Sequence, residues 1–120
     1  MNYAHVGFAV KDLAKSKVFY EGALAPLGLS LIREKTESIH FGKDGKTLLY
    51  IHTRSNPPGP FHIAFEAETQ DQVDKFYDAA IAAGGVDHGA PGIRENYSPS
   101  YYAAFILDPD GHNVKVVHRG

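Results

Sequence analysis

The chain repeats itself, and this repeat constrains its fold more than any other feature of the sequence. His5 and His62 are 57 positions apart, and six further identities recur at the same offset. They pair Phe8 with Phe65, Phe19-Tyr20 with Phe76-Tyr77, Ala23 with Ala80, Ala25 with Ala82, and Gly28 with Gly85. Self-similarity at one fixed offset indicates a structural unit that is used twice. We therefore predict a single domain over residues 1–120, made of two repeats at about 3–54 and 60–118.

Each repeat begins with a short strand that opens on its histidine and leads into a helix. Apolar side chains alternate with the histidine in both strands, so one face suits a core and the other carries the histidine. Asp12 is the predicted N-cap of the first helix. Thr69, with a glutamine three residues later, predicts a capping box for the second helix.

Three β-like runs follow the helix in each repeat. They lie at 29–34, 38–42 and 47–53 in the first repeat, and near 86–88, at 101–107 and at 113–118 in the second, with a long loop over 88–100. The predicted fold class is therefore α+β, with two βαβββ modules that form a cupped mixed or antiparallel sheet. The helices should cover the outer face of that sheet, so both histidines should point into the cup.

Composition excludes several classes of protein. Cysteine is absent, which removes disulfides, thiol nucleophiles and thiolate metal sites. The net charge of −2, without any basic stripe, argues against a nucleic-acid partner. No apolar run approaches the roughly 20 residues that span a bilayer, and the N-terminal residues lack the pattern of a secretion signal. We expect a cytoplasmic protein whose partner is a small molecule, with no membrane contact.

Three stretches carry a resemblance to a known family. They read "HVGFAVKDLAKSKVFYEGALAPLG", "FHIAFEAETQDQVDKFYDAAIAAGG" and "YYAAFILDPDGHNVKVVH". Together they resemble the glyoxalase / bleomycin-resistance / extradiol-dioxygenase superfamily, also called the vicinal oxygen chelate fold. The resemblance implies a homodimer of paired βαβββ modules. It also implies a divalent metal (Zn, Ni, Mn or Fe) in many members, held by a histidine from the first strand of each module and a glutamate from the last strand.

His5 and His62 match the two histidine positions of that resemblance, but the carboxylate position does not match. Lys115 stands where the family has the glutamate that follows the turn glycine. In the first repeat the same count reaches Leu49, or Tyr50 if the strand register slips by one residue. Neither alternative supplies a carboxylate.

Lys115 weakens the case for a metal. An ammonium has no lone pair to donate, and at about 4 Å it repels a dication by roughly 8 kcal/mol at an effective dielectric constant of 20. His52 would turn inward together with Tyr50 and is the candidate third nitrogen ligand, while Glu95 is a remote one. The sequence therefore predicts an atypical metal site at His5 and His62, or none.

The long loop is the main insertion of the second repeat, and we expect it to line the mouth of the cup. Arginine can bind a carboxylate through two parallel hydrogen bonds, and tyrosines offer flat walls with a polar tip. Neighbours on a strand face opposite ways, so one of Tyr101 and Tyr102 should pack in the core or at the dimer contact. The remaining histidines are expected to be solvated; they are His40, His88, His112 and His118. The predicted ligand-binding residues are Tyr50, Arg94, Tyr97, Tyr101 and Tyr102.

The resemblance, taken together with the residues at its site positions, leaves three functions open. In the first, His5, His62 and Lys115 are catalytic residues on the floor of the cup, in a lyase, isomerase or dioxygenase acting on a small oxygen-rich or anionic molecule. In the second, a metal-free protein of bleomycin-resistance type sequesters its ligand by aromatic stacking between subunits. In the third, the chain retains the fold alone.

Overall fold

The computed structural model describes residues 4–120, so Tyr3, where the first predicted repeat begins, lies outside the described residues. Each module has one α-helix and four strands, and a short 3-10 helix (Ala25–Leu27) follows the first α-helix. The first contains β1 (Val6–Ala9), α1 (Leu13–Leu24), β2 (Ser30–Glu34), β3 (Ser38–Lys43) and β4 (Lys46–His52). The second contains β5 (His62–Glu66), α2 (Gln70–Ala82), β6 (Val86–Ile93), β7 (Tyr102–Leu107) and β8 (Asn113–His118).

The strands form two separate four-stranded sheets with the same topology. Their orders are β1-β4-β3-β2 and β5-β8-β7-β6. In each sheet the first and last strands of the module are parallel neighbours, and the other pairs are antiparallel. The predicted α+β fold of two βαβββ modules is confirmed. Each module forms its own four-stranded sheet, so one chain has two sheets.

Both helices begin at the predicted caps. The Asp12 carboxylate accepts a hydrogen bond from the Lys15 amide at 3.0 Å, and the Thr69 hydroxyl accepts one from the Gln72 amide at 3.1 Å. The Gln72 side chain accepts from the amide of Glu68 rather than from that of Thr69. The second helix is therefore capped as predicted, with the capping box closed one residue earlier.

The helix-covered faces of both modules meet in one continuous buried cluster, which includes Phe19, Tyr20 and Phe76. The two helices pack against each other as well as on their own sheets. Tyr20 is fully buried and its phenol donates a hydrogen bond to Asp108 at the start of the β7–β8 turn. Burial, and then the Asp108 charge, hold the pKa of Tyr20 well above its usual range. The core of the first module is thus tied to a turn of the second.

Strand β6 is longer than predicted, and the loop after it is shorter. Pairing with β7 continues to Ile93 across two irregularities in register, so the expected loop over 88–100 begins only at Arg94. Glycines and a proline within 88–92 suggested a loop, but both residue types are tolerated in a bulged edge strand, where one side needs no ladder hydrogen bonds. β6 is such an edge strand.

The expectation that four histidines are solvated is wrong for His112. This side chain has no exposed surface, stacks on Phe61 with ring centroids 3.8 Å apart, and accepts the Phe61 amide at Nδ1. His40 and His118 are half-buried, and His88 is exposed. Phe61, the residue before β5, stacks on His112, a contact between distant parts of the chain that local pattern does not reveal. Among the helices of residues 4–120, none has the length and apolar character needed to cross a membrane.

Candidate functional site

Each sheet has one face covered by its helix and one open face, and the register shows which side chains share the open faces. Gly7 on β1 pairs with Tyr50 on β4, and its repeat counterpart Ala64 on β5 pairs with Lys115 on β8. Tyr50 is therefore the structural counterpart of Lys115. The other alternative, Leu49, is fully buried on the helix side. A register shift in the β3–β4 hairpin beside Gly42 produces the one-residue slip.

On the first module, Tyr50 lies among three histidines, and we call His5, His40, Tyr50 and His52 the His–Tyr face. The centroid of the Tyr50 ring is 5.6 Å from that of His5, 5.2 Å from that of His40 and 5.7 Å from that of His52. The His40 ring is nearly parallel to it, at 15°. A Cβ atom at position 7 would overlap the Tyr50 ring, so Gly7 is what allows this ring to lie against β1.

Cations surround the His–Tyr face. Burial lowers the pKa of His40, and the charges of Arg33, Lys35 and Arg54 lower it further. His52 accepts the Arg54 amide at Nδ1, and burial followed by the Arg54 charge lowers its pKa as well. These two imidazoles are therefore neutral at neutral pH, and the positive charge of this face comes from the residues around them.

On the second module, Lys115 stands among aromatic rings, and we call Tyr97, Tyr101, Phe105 and Lys115 the lysine cage. The lysine is 9% exposed, and its Nζ donates to the Tyr101 hydroxyl at 2.8 Å. Nζ is 5.5, 5.4 and 5.7 Å from the ring centroids of Tyr97, Tyr101 and Phe105. No carboxylate among residues 4–120 forms an ion pair with it.

A second cation extends the lysine cage. The Arg94 guanidinium lies 5.3 Å from the Phe105 ring centroid and donates to the Ala90 carbonyl. The Arg94 amide donates to the Tyr101 carbonyl, which closes the loop over 94–101 onto the sheet. Tyr97, at the tip of that loop, is 58% exposed. Both cations therefore lie on one wall, with the Phe105 ring within reach of each.

His62 shares this open face with Lys115. Its Nδ1 lies 3.2 Å from the side-chain amide nitrogen of Asn113, and burial, followed by the Lys115 charge, lowers its pKa. A cavity of about 240 Å³ lies on this side of the sheet, between β5 and Tyr101. The one carboxylate that lines it, Glu66, is paired with Arg119 at 2.8 Å. The described surface of this face thus carries an excess of positive charge.

The predicted site residues divide into two groups and one exception. Arg94, Tyr97, Tyr101 and Lys115 come together with His62 on the second module, whereas His5, Tyr50 and His52 come together on the first. No hydrogen bond, ion pair or ring contact within residues 4–120 connects the two groups. Tyr102 is the exception: it packs on the helix side and donates to Asp74 of α2 at 2.6 Å. Glu95 is exposed in the loop.

Sequence reasoning missed Phe105 of the second group. This residue could have been found, because the alternation along β7 places it on the same face as Tyr101 and Ala103. Asn113 was expected to face the cup beside Lys115, because both alternate with apolar residues of their strand, but it was given no role. Phe105 lies beside Lys115 because the two are register partners of β7 and β8, and Asn113 lies beside His62 because the two are register partners of β8 and β5. The sequence does not predict these registers.

The donor set does not fit a divalent metal. The three positions that the resemblance assigns to metal ligands hold two imidazoles, His5 and His62, and an ammonium, Lys115, and the counterpart of Lys115 in the first module is a phenol, Tyr50. Even if another chain brought the two groups together, no carboxylate would offset the charge of the cation. Among residues 4–120, no three histidine, aspartate or glutamate side chains converge closely enough to hold a metal ion.

The sequence and the structure of this chain were compared with known protein families and solved structures, and both comparisons found matches. The model of the Glyoxalase/Bleomycin resistance protein/Dioxygenase superfamily matches residues 2–116. A glyoxalase/bleomycin resistance protein from Albidiferax ferrireducens T118 is 28% identical, with 98% of each chain covered and a TM-score of 0.82. A family enzyme from Burkholderia phytofirmans PsJN is 22% identical, with 98% of each chain covered and a TM-score of 0.75.

A lactoylglutathione lyase from Agrobacterium tumefaciens has the same fold, at 18% identity. The alignment covers 98% of this chain and 92% of the lyase, with a TM-score of 0.72. At this identity the likeness shows the fold alone, as it does for the Burkholderia protein. No curated protein matches the chain.

Proposed function

The chain belongs to the Glyoxalase/Bleomycin resistance protein/Dioxygenase superfamily, and from this premise we propose that it binds a small, oxygen-rich anion on the open face of its second module, through protein groups and without a metal. The ligand's oxygens would take the place next to Lys115 that a metal takes in many relatives. The predicted lyase, isomerase or dioxygenase activity and the cytoplasmic location stay predictions.

The observation that carries this proposal is the state of Lys115. Burying an ammonium is costly unless a counter-charge or hydrogen bonds compensate it. The three aromatic rings of the lysine cage attract the charge, and Tyr101 accepts one of its three N–H groups. Residues 4–120 offer no further acceptor and no carboxylate partner. A carboxylate or phenolate from a ligand would supply both.

The surroundings of Lys115 narrow the ligand class further. Tyr97 and Tyr101 are in ring contact, with centroids 4.7 Å apart, and form an aromatic wall. Flat walls favour a planar ring, and the Arg94 guanidinium and the His62 imidazole add polar contacts beside it. Because Glu66 is already paired with Arg119, it contributes little repulsion. A planar ring that carries a carboxylate and a neighbouring oxygen fits these features.

We further propose that a second copy of the chain completes the cup. The open faces of both modules carry their polar and aromatic side chains outward, and the two groups make no contact with each other in the part of the chain that the structure describes. A homodimer that places the His–Tyr face of one copy opposite the lysine cage of the other would bring His5 and Tyr50 to the same ligand. Sedimentation at the mass of a monomer over a micromolar concentration range would contradict this arrangement.

The proposed function is tested with salicylate, a planar carboxylate with an adjacent hydroxyl, and salicylamide, its neutral analogue. In calorimetric titration we expect salicylate to bind and salicylamide to bind at least tenfold more weakly. Lys115→Met keeps the length of the side chain and removes the charge. We expect it to weaken salicylate binding by about 10- to 150-fold, since a hydrogen bond to a charged group contributes about 1.5–3 kcal/mol.

The matched control is Lys43→Met, which removes the same charge from an exposed lysine of β3, outside the proposed site. This variant should bind salicylate like the wild type, and thermal melting of both variants verifies that they are folded. Equal affinity for salicylate and salicylamide, or equal losses in the two variants, would refute an anion site at Lys115.

A further inference from the structure

Asn113 and His62 form a fixed pair at the start of two parallel strands. They are register partners in the β5–β8 ladder. The backbone N–H of Asn113 donates a hydrogen bond at 2.9 Å to the backbone carbonyl of Phe61, the residue before His62. The side-chain nitrogen of Asn113 lies 3.2 Å from Nδ1 of His62. The Asn113 side-chain oxygen is buried and has no partner among residues 4–120. The pairing of the two backbones therefore holds the side-chain amide of Asn113 against the Nδ1 edge of the His62 imidazole.

This contact determines where the imidazole carries its proton. An amide N–H can donate only to a ring nitrogen that has a free lone pair. Nδ1 of His62 must then be unprotonated, and in a neutral ring the proton lies on Nε2. Nε2 has no protein partner within residues 4–120, so its N–H is available to a ligand.

We propose that Asn113 is a positioning residue that holds His62 as the Nε2–H tautomer, so that His62 donates a hydrogen bond to the bound anion. In this state Nε2 of His62 has no lone pair for a metal or for a substrate proton. The role towards the anion rests on the proposed function; the tautomer does not. Lys115 and His62 would then present only N–H donors to the ligand.

The orientation of the Asn113 side-chain amide distinguishes a binding role of His62 from a role as a base. In the reverse orientation the amide oxygen of Asn113 would accept a hydrogen bond from Nδ1–H of His62. Nε2 would then keep its lone pair, as a general base or a metal ligand requires. The described orientation instead leaves the carbonyl oxygen buried without a partner. A single amide orientation therefore decides whether this histidine donates or accepts at the open face.

The test is a long-range ¹H–¹⁵N NMR spectrum of the full chain labelled at histidine, recorded at neutral pH. We expect His62 to show an unprotonated Nδ1 and a protonated Nε2. In Asn113→Asp the carboxylate can only accept, and we expect the proton to move to Nδ1 or the ring to become doubly protonated. Asn56→Asp makes the same change at an exposed position between β4 and β5 and should leave the His62 signals unchanged.

The NMR outcomes test separately the tautomer that Asn113 imposes and the hydrogen bond that His62 donates to the anion. A wild-type His62 protonated on Nδ1, or an unchanged tautomer in Asn113→Asp, overturns the role of Asn113. Salicylate should shift the Nε2 signal more than the Nδ1 signal; binding without that shift overturns the donor role of His62. If salicylate does not bind at all, the proposed function fails, and the spectrum of the free protein still decides the tautomer.

Discussion

The two open faces descend from one repeated pattern and have opposite chemistry at their centres. Tyr50 and Lys115 occupy equivalent positions, opposite Gly7 and Ala64 on the neighbouring strand. On the His–Tyr face a neutral ring is surrounded by imidazoles, while in the lysine cage a cation is surrounded by neutral rings. The comparison shows that a duplicated backbone can keep its strand order and the register between its first and last strands, while the central residue sets a different binding chemistry on each face.

Reversing the charge in the lysine cage should give the largest effect. Lys115→Glu removes the charged donor and places a carboxylate against the incoming anion, so we expect salicylate affinity to fall more than about 100-fold. Titration calorimetry measures the loss, and Lys43→Glu on the first module is the matched charge reversal. Retained affinity in Lys115→Glu would mean that the two faces do not differ in the way proposed.

The repeat also places two tyrosines at equivalent positions in different environments. Tyr20→Phe leaves a buried Asp108 oxygen without its donor, and we expect a loss of about 2 kcal/mol in the free energy of unfolding. Its counterpart Tyr77 is half-exposed, so water can replace any partner that its phenol loses, and Tyr77→Phe should cost much less. Urea denaturation of both variants measures the difference, and equal losses would contradict the assignment of Tyr20 to the shared core.

A smaller effect is expected at Gly7, whose missing side chain makes room for the Tyr50 ring. Gly7→Ala should displace that ring and cost about 1 kcal/mol of stability, at the low end of the range for overpacking. Gly59→Ala, where a Cβ would meet nothing within 4 Å, is the control. Urea denaturation measures the loss, and a crystal structure of Gly7→Ala with Tyr50 unmoved would contradict the reason given for it.

The smallest predicted effect is a pH dependence of the His–Tyr face. Because the folded pKa of His40 is lowered, the unfolded chain binds more protons below about pH 6.5. The stabilisation is present above that pH and is lost as pH falls towards the folded pKa. The charged and titratable groups around His40 are Arg33, Lys35, Arg54 and His5.

His40→Gln should therefore flatten the decline in the free energy of unfolding between pH 7 and pH 5. Urea denaturation at several pH values checks this, with His88→Gln as the control at an exposed histidine. A steeper decline in His40→Gln than in the wild type would show that the sign is wrong.

Much of the fold could be predicted because it is encoded locally and encoded twice. Asp12 and Thr69 cap the helices as their side-chain chemistry predicts, and the alternation around His5 and His62 identifies the helix-covered and open faces. The register of β4 could not be predicted, because a shift in one hairpin decides whether Leu49 or Tyr50 faces outward. The burial of His112 depends on Phe61, which is 51 residues away in the chain.

The candidate site was predictable in its residue types and not in its grouping. Lys115 could be recognised as a substitution for a carboxylate, and the expectation that Tyr101 and Tyr102 face opposite ways agrees with the structure. That Lys115 is held by Tyr97, Tyr101 and Phe105, while His5 and His62 belong to different modules with separate sheets, required the full set of strand pairings.

The sequence alone determined the two modules, their order of elements and the absence of a carboxylate at the expected metal positions, because repeats, caps and residue identities are local properties. The tertiary structure decided which side chains meet. Strand register, the fold of the loop over 94–101 and the amide of Asn113 are set by contacts between distant segments, and these contacts give Lys115 its cage and His62 its partner.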